Sequence, residues 1–141
     1  MNKRKNQFEE EVSKFKRRNK QKVKINRERF AEDLLTTFEN FDLKNSLFVK
    51  FKNENGIDAG GLSREFYELV GKMMKDHSYQ FFQLVSDSKA EKYYFHPNCL
   101  KTKQASKYFN VFGKLIAHTI LYNVNHNRFF HFFILIFPLV S

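Results

Sequence analysis

Apolar residues recur with helical spacing along the first third of the chain. Phe8, Val12 and Phe15 recur at i, i+4 and i+7 among charged residues, which predicts an amphipathic helix from about 7–22. A second helix is predicted over about 27–41, where the spacing is similar. Its apolar positions are Phe30, Leu34, Leu35, Phe38 and Phe41. We expect both stripes to face a core and the charges to face water.

The period changes from helical to alternating at 47–52, where the sequence is LFVKFK. One set of alternate positions is wholly apolar and the other is mostly polar, which predicts a half-buried strand. The apolar set is Leu47, Val49 and Phe51. Asn55-Gly56 is a turn signal, because these residue types tolerate the positive φ angles of tight turns, and it ends the strand.

A third helix is predicted after the second turn signal, Gly60-Gly61. Ser63 is a suitable N-cap, and Glu65 is placed favourably against the helix dipole. The apolar stripe of this helix consists of Leu62, Phe66, Leu69, Val70 and Met73. The region around these two turns also holds an unusual density of charge, contributed by Glu54, Asp58, Arg64 and Glu65.

Two aromatic runs between 80 and 97, separated by a polar segment, predict a pair of short strands. A last helix is predicted over 104–122. Its periodic residues are Ala105, Phe109, Phe112, Ile116 and Ile120. Gly113 lies inside this pattern, where it weakens a helix, and this suggests a close contact with another helix. We interpret the aromatic stripes as core positions.

The segment 124–141 differs from what precedes it. Its apolar run, 129–140, contains His131 and Pro138 and is shorter than the ~20 residues that cross a bilayer, so no membrane span is predicted. We treat 124–141 as a divergent apolar tail. Because Val124-Asn125 would be encoded by GTN-AAY, which reads as an intron donor, our hypothesis is that this tail is translated noncoding sequence.

Composition supports a folded chain with one strongly basic end. The 141 residues are 42% hydrophobic and 17% aromatic, which is too apolar for a disordered chain and suits one domain. The net charge is +10, and residues 1–30 hold twelve Lys or Arg against four Glu. Such a basic region attracts phosphates, anionic lipids or acidic proteins.

The basic clusters Lys3-Arg4-Lys5 and Lys16-Arg17-Arg18 are interpreted as solvated faces, with nuclear import as the alternative. The N-terminus shows no apolar segment of the secretory kind. The expected location is therefore cytoplasmic, or nuclear if those clusters are import signals.

Candidate chemistry is sparse. Cys99 is the single cysteine, which excludes an intramolecular disulfide, and the histidines are scattered, so we predict no metal and no cofactor. His96, Lys101 and Lys103 could activate Cys99, but a half-buried loop cysteine is the favoured interpretation. The aromatic run 93–95 with Lys92 could stack on single-stranded nucleic acid, but core packing is favoured there too.

The charged turn region resembles a known signature. The segment VKFKNENGIDAGGLSREFYELV is similar to the N-lobe pattern F-x-x-E-x-G-x-D-x-G-G-x-x-R-E-[FW]-[FY] of HECT-type ubiquitin ligases. The matching residues are Phe51, Glu54, Gly56, Asp58, Gly60, Gly61, Arg64, Glu65, Phe66 and Tyr67. FHPNC and YFNVFGKLIAHTI resemble two further family segments. The resemblance covers about 8–122 and implies a mainly helical α+β fold with a few short strands.

The resemblance also implies a domain organisation and a structural role for the charges. It divides the chain into a basic extension (1–7), the first part of a HECT N-lobe (8–123) and the divergent tail (124–141). We infer that Arg64 bridges some of Glu54, Asp58 and Glu65, because partly buried charges persist only when paired. These residues are then architecture and not catalysts.

The family transfers ubiquitin from an E2 conjugating enzyme to a ligase cysteine and then to substrate lysines. The resemblance places that cysteine in a separate C-lobe, so no catalytic residue is transferred to this chain, and Cys99 lies in the wrong segment. The chain alone is expected to be inactive. Partners implied for a complete ligase are ubiquitin and an E2, with substrates unknown. The resemblance points to Tyr79, Phe81 and Phe82 as residues near a noncovalent ubiquitin surface.

Two other functions are kept as alternatives. The first is a noncatalytic fragment that binds ubiquitin or another partner. The second is a basic nucleic-acid-binding protein, which would lose affinity steeply as salt is added.

Overall fold

The computed structural model describes residues 3–16, 19–55, 61–85 and 93–122. Over these ranges the fold is mainly helical α+β, which confirms the predicted class. The helices are α1 (Lys3–Phe15), α2 (Phe30–Phe38), α3 (Gly61–Lys75) and α4 (Ala105–Leu121). The strands are β1 (Lys20–Ile25), β2 (Ser46–Phe51), β3 (Phe82–Leu84) and β4 (Tyr93–Phe95). Short 3-10 helices lie at Arg27–Arg29 and Cys99–Lys101.

The first predicted helix is wrong at its C-terminal end. Helix α1 ends at Phe15, and 20–25 forms strand β1. Here Val23 and Ile25 are buried while the alternating lysines are exposed, so the segment has the period of a half-buried strand. Its partner is β2, in parallel register from Lys20↔Ser46 to Ile25↔Phe51.

Helix α1 buries none of its residues within the described structure. The side chains of its predicted stripe stay open to solvent, with Phe8 at 52% and Phe15 at 40% exposure. The expectation that this stripe faces the core is therefore wrong. Lys44 places its ammonium 5.4 Å from the ring of Phe15, near the end of the helix.

The core lies between the β1–β2 sheet, the helices α2 and α3 that pack on its strands, and α4, which packs against α2. Leu34 and Phe38 of α2 are fully buried, and Phe38 stacks on Phe66 of α3 with ring centroids 5.6 Å apart. The sheet contributes its inner face, and α4 closes the other side. Further core residues are Val23, Ile25, Val49, Phe51, Tyr67, Val70, Met74, Val111, Phe112 and Leu115. Aromatic contacts at 4.5–7 Å of this kind add stability beyond area burial.

Helices α3 and α4 confirm their predicted apolar stripes, with two corrections of detail. Helix α3 begins at Gly61, so Ser63 lies inside the helix and is not its N-cap. Gly113 is exposed, and a Cβ built on it would meet nothing within 4 Å, so the predicted close helix contact is wrong. Ile120, the last residue of the α4 stripe, is 47% exposed.

The predicted strand pair is confirmed: β3 and β4 are antiparallel, with Phe82 opposite Phe95. The segment 86–92 between them and the tail 124–141 lie outside the described residues, as does the predicted boundary at 123. The other boundary, between 7 and 8, falls within α1. In the described part of the chain, no helix is long and apolar enough to cross a membrane.

Candidate functional site

The charged signature is organised by Arg27, which follows β1. Its Nε donates to Glu54 Oε2 at 2.6 Å, its Nη2 to Glu54 Oε1 at 3.1 Å and its Nη1 to Glu65 Oε1 at 2.6 Å. The guanidinium also lies 4.0 Å from the ring centroid of Phe51. We call Arg27, Glu54 and Glu65 the Arg27 cluster. It connects the loop after β1, the loop after β2 and the first turns of α3.

The hydrogen bonds within the Arg27 cluster shift the pKa values of Arg27 and Glu65. Hydrogen bonds to Glu65 and then to Glu54 raise the pKa of Arg27, so its guanidinium stays charged. The hydrogen bond from Arg27 lowers the pKa of Glu65 below its usual range. The side chains remain 37–44% exposed, so water and salt screen much of this attraction.

The inferred bridge from Arg64 to Glu54 or Glu65 is corrected, while its pairing with Asp58 stays a prediction. Arg64 is exposed, and among the described residues the cation between Glu54 and Glu65 is Arg27. Asp58, the third predicted partner, lies outside the described residues. The physical reason is helix geometry: Arg64 and Glu65 are consecutive in α3, and consecutive helical side chains point in different directions.

A second polar group supports the same loop. Asn26 donates its backbone N–H to Asp33 Oδ2 at 2.8 Å, while its side chain accepts from the backbone N–H of Glu28 at 3.0 Å. Lys52 Nζ lies 3.7 Å from Asp33 Oδ2. These contacts fix the chain between β1 and α2 and so position the guanidinium of Arg27.

The signature residues after the turn are core residues. Phe66 is fully buried and Tyr67 is 1% exposed, and both belong to α3. Gly61 is exposed at the start of that helix. The remaining signature glycines and Asp58 lie in 56–60, outside the described residues. Where the signature is described, it supplies packing and loop positioning.

A buried polar pocket lies behind α3. His118 of α4 is 2% exposed, its Nε2 lies 3.0 Å from the carbonyl oxygen of Asn45, and its Nδ1 lies 3.3 Å from the hydroxyl of Tyr67. Donation from Nε2–H to the carbonyl and from the tyrosine hydroxyl to Nδ1 satisfies both ring nitrogens of a neutral imidazole. The ring packs against Phe41 and Tyr122. We call these five residues the His118 pocket.

Burial governs the protonation of this pocket. Desolvation lowers the pKa of His118, with a smaller contribution from Lys16, while the hydrogen bond to the Asn45 carbonyl opposes the shift. Burial also raises the pKa of Tyr67. Both side chains are therefore neutral at physiological pH, which suits a structural role.

Lys114 of α4 caps the C-terminal end of α2. Its Nζ donates to the carbonyl oxygens of Phe38 at 3.0 Å and Glu39 at 3.1 Å, at the C-terminus of α2. The Phe38 carbonyl also accepts the backbone N–H of Phe41 at 3.3 Å. Both carbonyls lie at the negative end of the helix dipole, so a lysine there is stabilising. Lys114 thus fastens α4 to α2.

The predicted ubiquitin-contact residues lie at the start of the hairpin. Phe81 is fully buried, Phe82 is 6% exposed and Tyr79 is half-buried. Phe81 stacks on Tyr79 with ring centroids 5.4 Å apart. The surface that the hairpin offers to a partner comes instead from the exposed side chains of Leu84, Val85, Tyr94 and Phe95. Ubiquitin contact through the predicted residues stays a prediction.

Groups with catalytic potential do not converge in the described structure. Cys99 is half-buried at the start of a 3-10 helix, as expected for a loop cysteine. His96 uses Nδ1 to accept the backbone N–H of Asn98 at 3.0 Å. Within residues 3–16, 19–55, 61–85 and 93–122, no group of three His, Cys, Asp or Glu could hold a metal ion. An open groove of about 540 Å³ between α2 and α4 is lined mainly by polar and charged side chains, with Leu35 and Val111 as its apolar residues.

Comparison with known proteins identifies a class. No family model matches the chain. The E3 ubiquitin-protein ligase pub3 of Schizosaccharomyces pombe is 31% identical over 119 residues, which are 81% of this chain and 14% of pub3. UPL2 of Arabidopsis thaliana is 34% identical over 79 residues, which are 56% of this chain and 2% of UPL2. HUWE1 of Mus musculus is 30% identical over 82 residues, which are 58% of this chain and 2% of HUWE1.

These relatives are E3 ubiquitin-protein ligases of the HECT type, and their matches confirm the resemblance. The chain corresponds to part of a HECT N-lobe. It spans only 2–14% of the length of these relatives.

Three structurally important side chains were not recognised in the sequence as parts of the site: Arg27, Lys114 and His118. Arg27 lies two residues after the end of β1, and recognising that strand would have placed Arg27 near the end of β2. His118 lies six residues after Phe112 in the α4 pattern, off the periodic positions used to predict the core. Lys114 belongs to the resembled segment GKLIA but carries no sign of its acceptors, which lie on another helix.

Proposed function

We propose that this chain contributes the first part of the N-lobe to a HECT-type E3 ligase. In such a ligase ubiquitin passes from an E2 conjugating enzyme through a thioester to substrate lysines. The observation that carries the proposal is the Arg27 cluster, because it joins two residues of the family signature, Glu54 and Glu65, into one structural unit. The curated E3 ligase relatives support it.

The proposed role is structural support of the ligase, not nucleophilic attack. Cys99 lies beside β4 and α4, in a segment that resembles an N-lobe loop and not the lobe that carries the family's cysteine. We therefore propose that the chain alone does not accept ubiquitin from an E2. Ubiquitin and an E2 are partners of the complete ligase, which we place in the cytoplasm or nucleus.

A chimera tests this proposal. Residues 19–122 of this chain replace the aligned segment of pub3, and discharge of ubiquitin from a loaded E2 is measured. We expect discharge within about tenfold of pub3 itself. A chimera that is folded by circular dichroism but inactive would contradict the proposed role. The isolated chain, tested in parallel, is expected to form no thioester at Cys99.

A second candidate function is noncovalent ubiquitin binding without catalysis. It is favoured by the apolar side chains exposed on and after the hairpin, where Leu84 is 52%, Phe95 48% and Leu100 81% exposed. Exposed apolar groups that lie close together are typical of a surface used by a protein partner. This surface lies in the region where the resemblance places a ubiquitin contact.

Titration of the chain with ubiquitin, with no E2 present, tests the second candidate. Binding that Leu84→Ser and Phe95→Ser each weaken at least about fivefold would support it. The matched control is Phe8→Ser, which changes an equally exposed aromatic residue on α1. Equal losses from all three variants, or no binding, would exclude a specific surface at the hairpin.

A further inference from the structure

The outer face of strand β1 is a row of lysines. Lys20, Lys22 and Lys24 are exposed, whereas Val23 and Ile25 between and beyond them are buried. Side chains alternate between the two faces of a strand, so the three lysines project to the same side at intervals of about 6.6 Å. This spacing makes a regular line of positive charge along one strand.

Strand β2 extends this face. The parallel register places Lys50 beside Lys24 and Phe48 beside Lys22. We call Lys20, Lys22, Lys24 and Lys50 the lysine face.

The lysine face is not neutralised within the described residues. In the described structure, ion pairs join Arg27, Arg29 and Lys52 to carboxylates, and none of the four lysines pairs with a described carboxylate. The acidic groups at the end of the sheet are thus already occupied. Four neighbouring positive charges that pair with no described carboxylate create a potential that attracts an acidic segment.

Strand β1 also has an open edge. Asn19 accepts from the N–H of Ser46 at 2.9 Å, and Ile25 accepts from the N–H of Lys52 at 2.8 Å. In a parallel ladder alternate residues bond to the neighbouring strand, so the odd-numbered residues of β1 face β2. The three lysines therefore turn their backbone N–H and C=O groups to the opposite side. In the described part of the chain these groups have no backbone partner.

Lysines on an open edge have a protective effect, because they prevent pairing between identical strands. The same arrangement accepts a strand of opposite charge. An added strand would pair its backbone with that of the three lysines, and its own alternate side chains would lie about 5 Å from theirs. Acidic residues at every second position would then each meet one lysine.

We propose that the open edge of β1 and the lysine face bind an extended acidic segment of a partner protein by strand addition. Backbone hydrogen bonds supply the affinity of such complexes, and side chains at alternate positions supply the specificity. The segment recognised has Asp or Glu at every second residue.

The observations favour a peptide over single-stranded nucleic acid. Nucleic-acid surfaces of that kind combine positive charge with several exposed aromatic rings on which bases stack. Here Phe48 is half-buried, and the ammonium of Lys20 lies over its ring at 6.0 Å. An open strand edge, by contrast, is used directly in strand addition.

The experiment uses the full chain and three fluorescent peptides of about nine residues each. The first has Glu alternating with Thr or Val, the second has the same composition with its glutamates in one block, and the third is the first with alternate backbone N–H groups methylated. Fluorescence anisotropy gives the dissociation constants at fixed salt. We expect the alternating peptide to bind about tenfold tighter than either of the other two.

Protein variants locate the site. Lys22→Glu reverses the central charge and is expected to weaken the alternating peptide about tenfold, whereas Lys103→Glu, an equal change at an exposed lysine after β4, leaves it unchanged. A peptide with Lys at its central acidic position should bind Lys22→Glu better than the unchanged chain. Circular dichroism confirms that both variants are folded.

Several results would overturn the proposal. Equal binding of the alternating and block peptides would show unspecific attraction. Equal losses in Lys22→Glu and Lys103→Glu would place the binding elsewhere. A mixed-sequence oligonucleotide could instead displace the peptide, bind more tightly and lose affinity steeply as salt is added. That result would assign the lysine face to nucleic acid. If none of the three peptides bound the chain, the proposed site would be excluded.

Discussion

The Arg27 cluster and the His118 pocket are both polar and both link distant parts of the chain, but they differ in burial. The side chains of the Arg27 cluster are 37–44% exposed, whereas His118 is 2% exposed and Tyr67 is 1% exposed. Charges at a surface attract each other weakly, because water and ions screen them. A buried neutral hydrogen bond contributes modestly when made, but its loss leaves a group that water cannot reach.

This difference assigns distinct roles to the two regions. The Arg27 cluster holds the loops after β1 and β2 in position relative to the first turns of α3. It adds little to the free energy of unfolding. The His118 pocket joins α3, α4 and the loop before β2, so its disruption should weaken the whole described core.

The largest effect is expected for His118→Ala. The substitution opens a cavity next to Phe41 and Tyr122 and removes the buried contact between the Tyr67 hydroxyl and the imidazole, which together should lower the free energy of unfolding by about 3 kcal/mol. Urea unfolding followed by circular dichroism measures it. His77→Ala is the matched control, because His77 is exposed. A loss equal to that of the control would contradict the account of the pocket.

The pocket also predicts a pH dependence. The pKa of His118 is lowered in the folded chain from its usual 6.5, so the unfolded state binds the proton more readily. Stability from this group is complete above pH 6.5 and falls as pH drops through that value, by at most about 1.4 kcal/mol per pH unit. Unfolding measured between about pH 7.5 and 5.5 should show this slope. His118→Gln should flatten the slope, and His77→Gln should keep it.

The Arg27 cluster predicts a smaller loss. Arg27→Ala should lower the free energy of unfolding by about 1 kcal/mol, since exposed pairs contribute little and the bidentate geometry adds somewhat. Raising the salt concentration should reduce the difference from the unchanged chain. Arg64→Ala serves as the control, because Arg64 is an exposed arginine directly before Glu65. It should change stability by less. A larger loss at Arg64 would restore the role first inferred for it.

Lys114→Met is expected to have the smallest effect. It keeps the length of the side chain but removes the donor to the α2 carbonyls, for a loss of about 0.5–1 kcal/mol. Thermal unfolding measures it, with Lys107→Met as a control at an exposed lysine of the same helix. Equal results for the two variants would show that the contact with α2 contributes nothing.

The sequence predicted much of the fold because periodicity reports burial directly. Helices α2, α3 and α4 and strand β2 each carry an apolar stripe of which most residues are buried or half-buried. Strand β1 was missed because only Val23 and Ile25 are buried in it, too few to define a period against the lysines. Helix α1 was predicted with a core face, but spacing alone does not show whether another element covers a stripe.

The candidate site was predictable in part for a similar reason. The signature identified Glu54 and Glu65, yet the cation between them comes from a different element. Pairing across elements depends on strand register, and the parallel pairing of β1 with β2 has no local signal in the sequence. The burial of His118 was not predictable either, because the spacing of residues in a helix does not show which residues of other elements lie around it.

The most direct test of the account is ubiquitin discharge from a loaded E2 by the pub3 chimera carrying Arg27→Ala or Arg64→Ala. We expect the unchanged chimera to be active, Arg27→Ala to reduce its rate, and Arg64→Ala to reduce it less. A folded chimera without activity, or a greater loss with Arg64→Ala than with Arg27→Ala, would contradict the account that this chain forms part of a HECT N-lobe organised by Arg27.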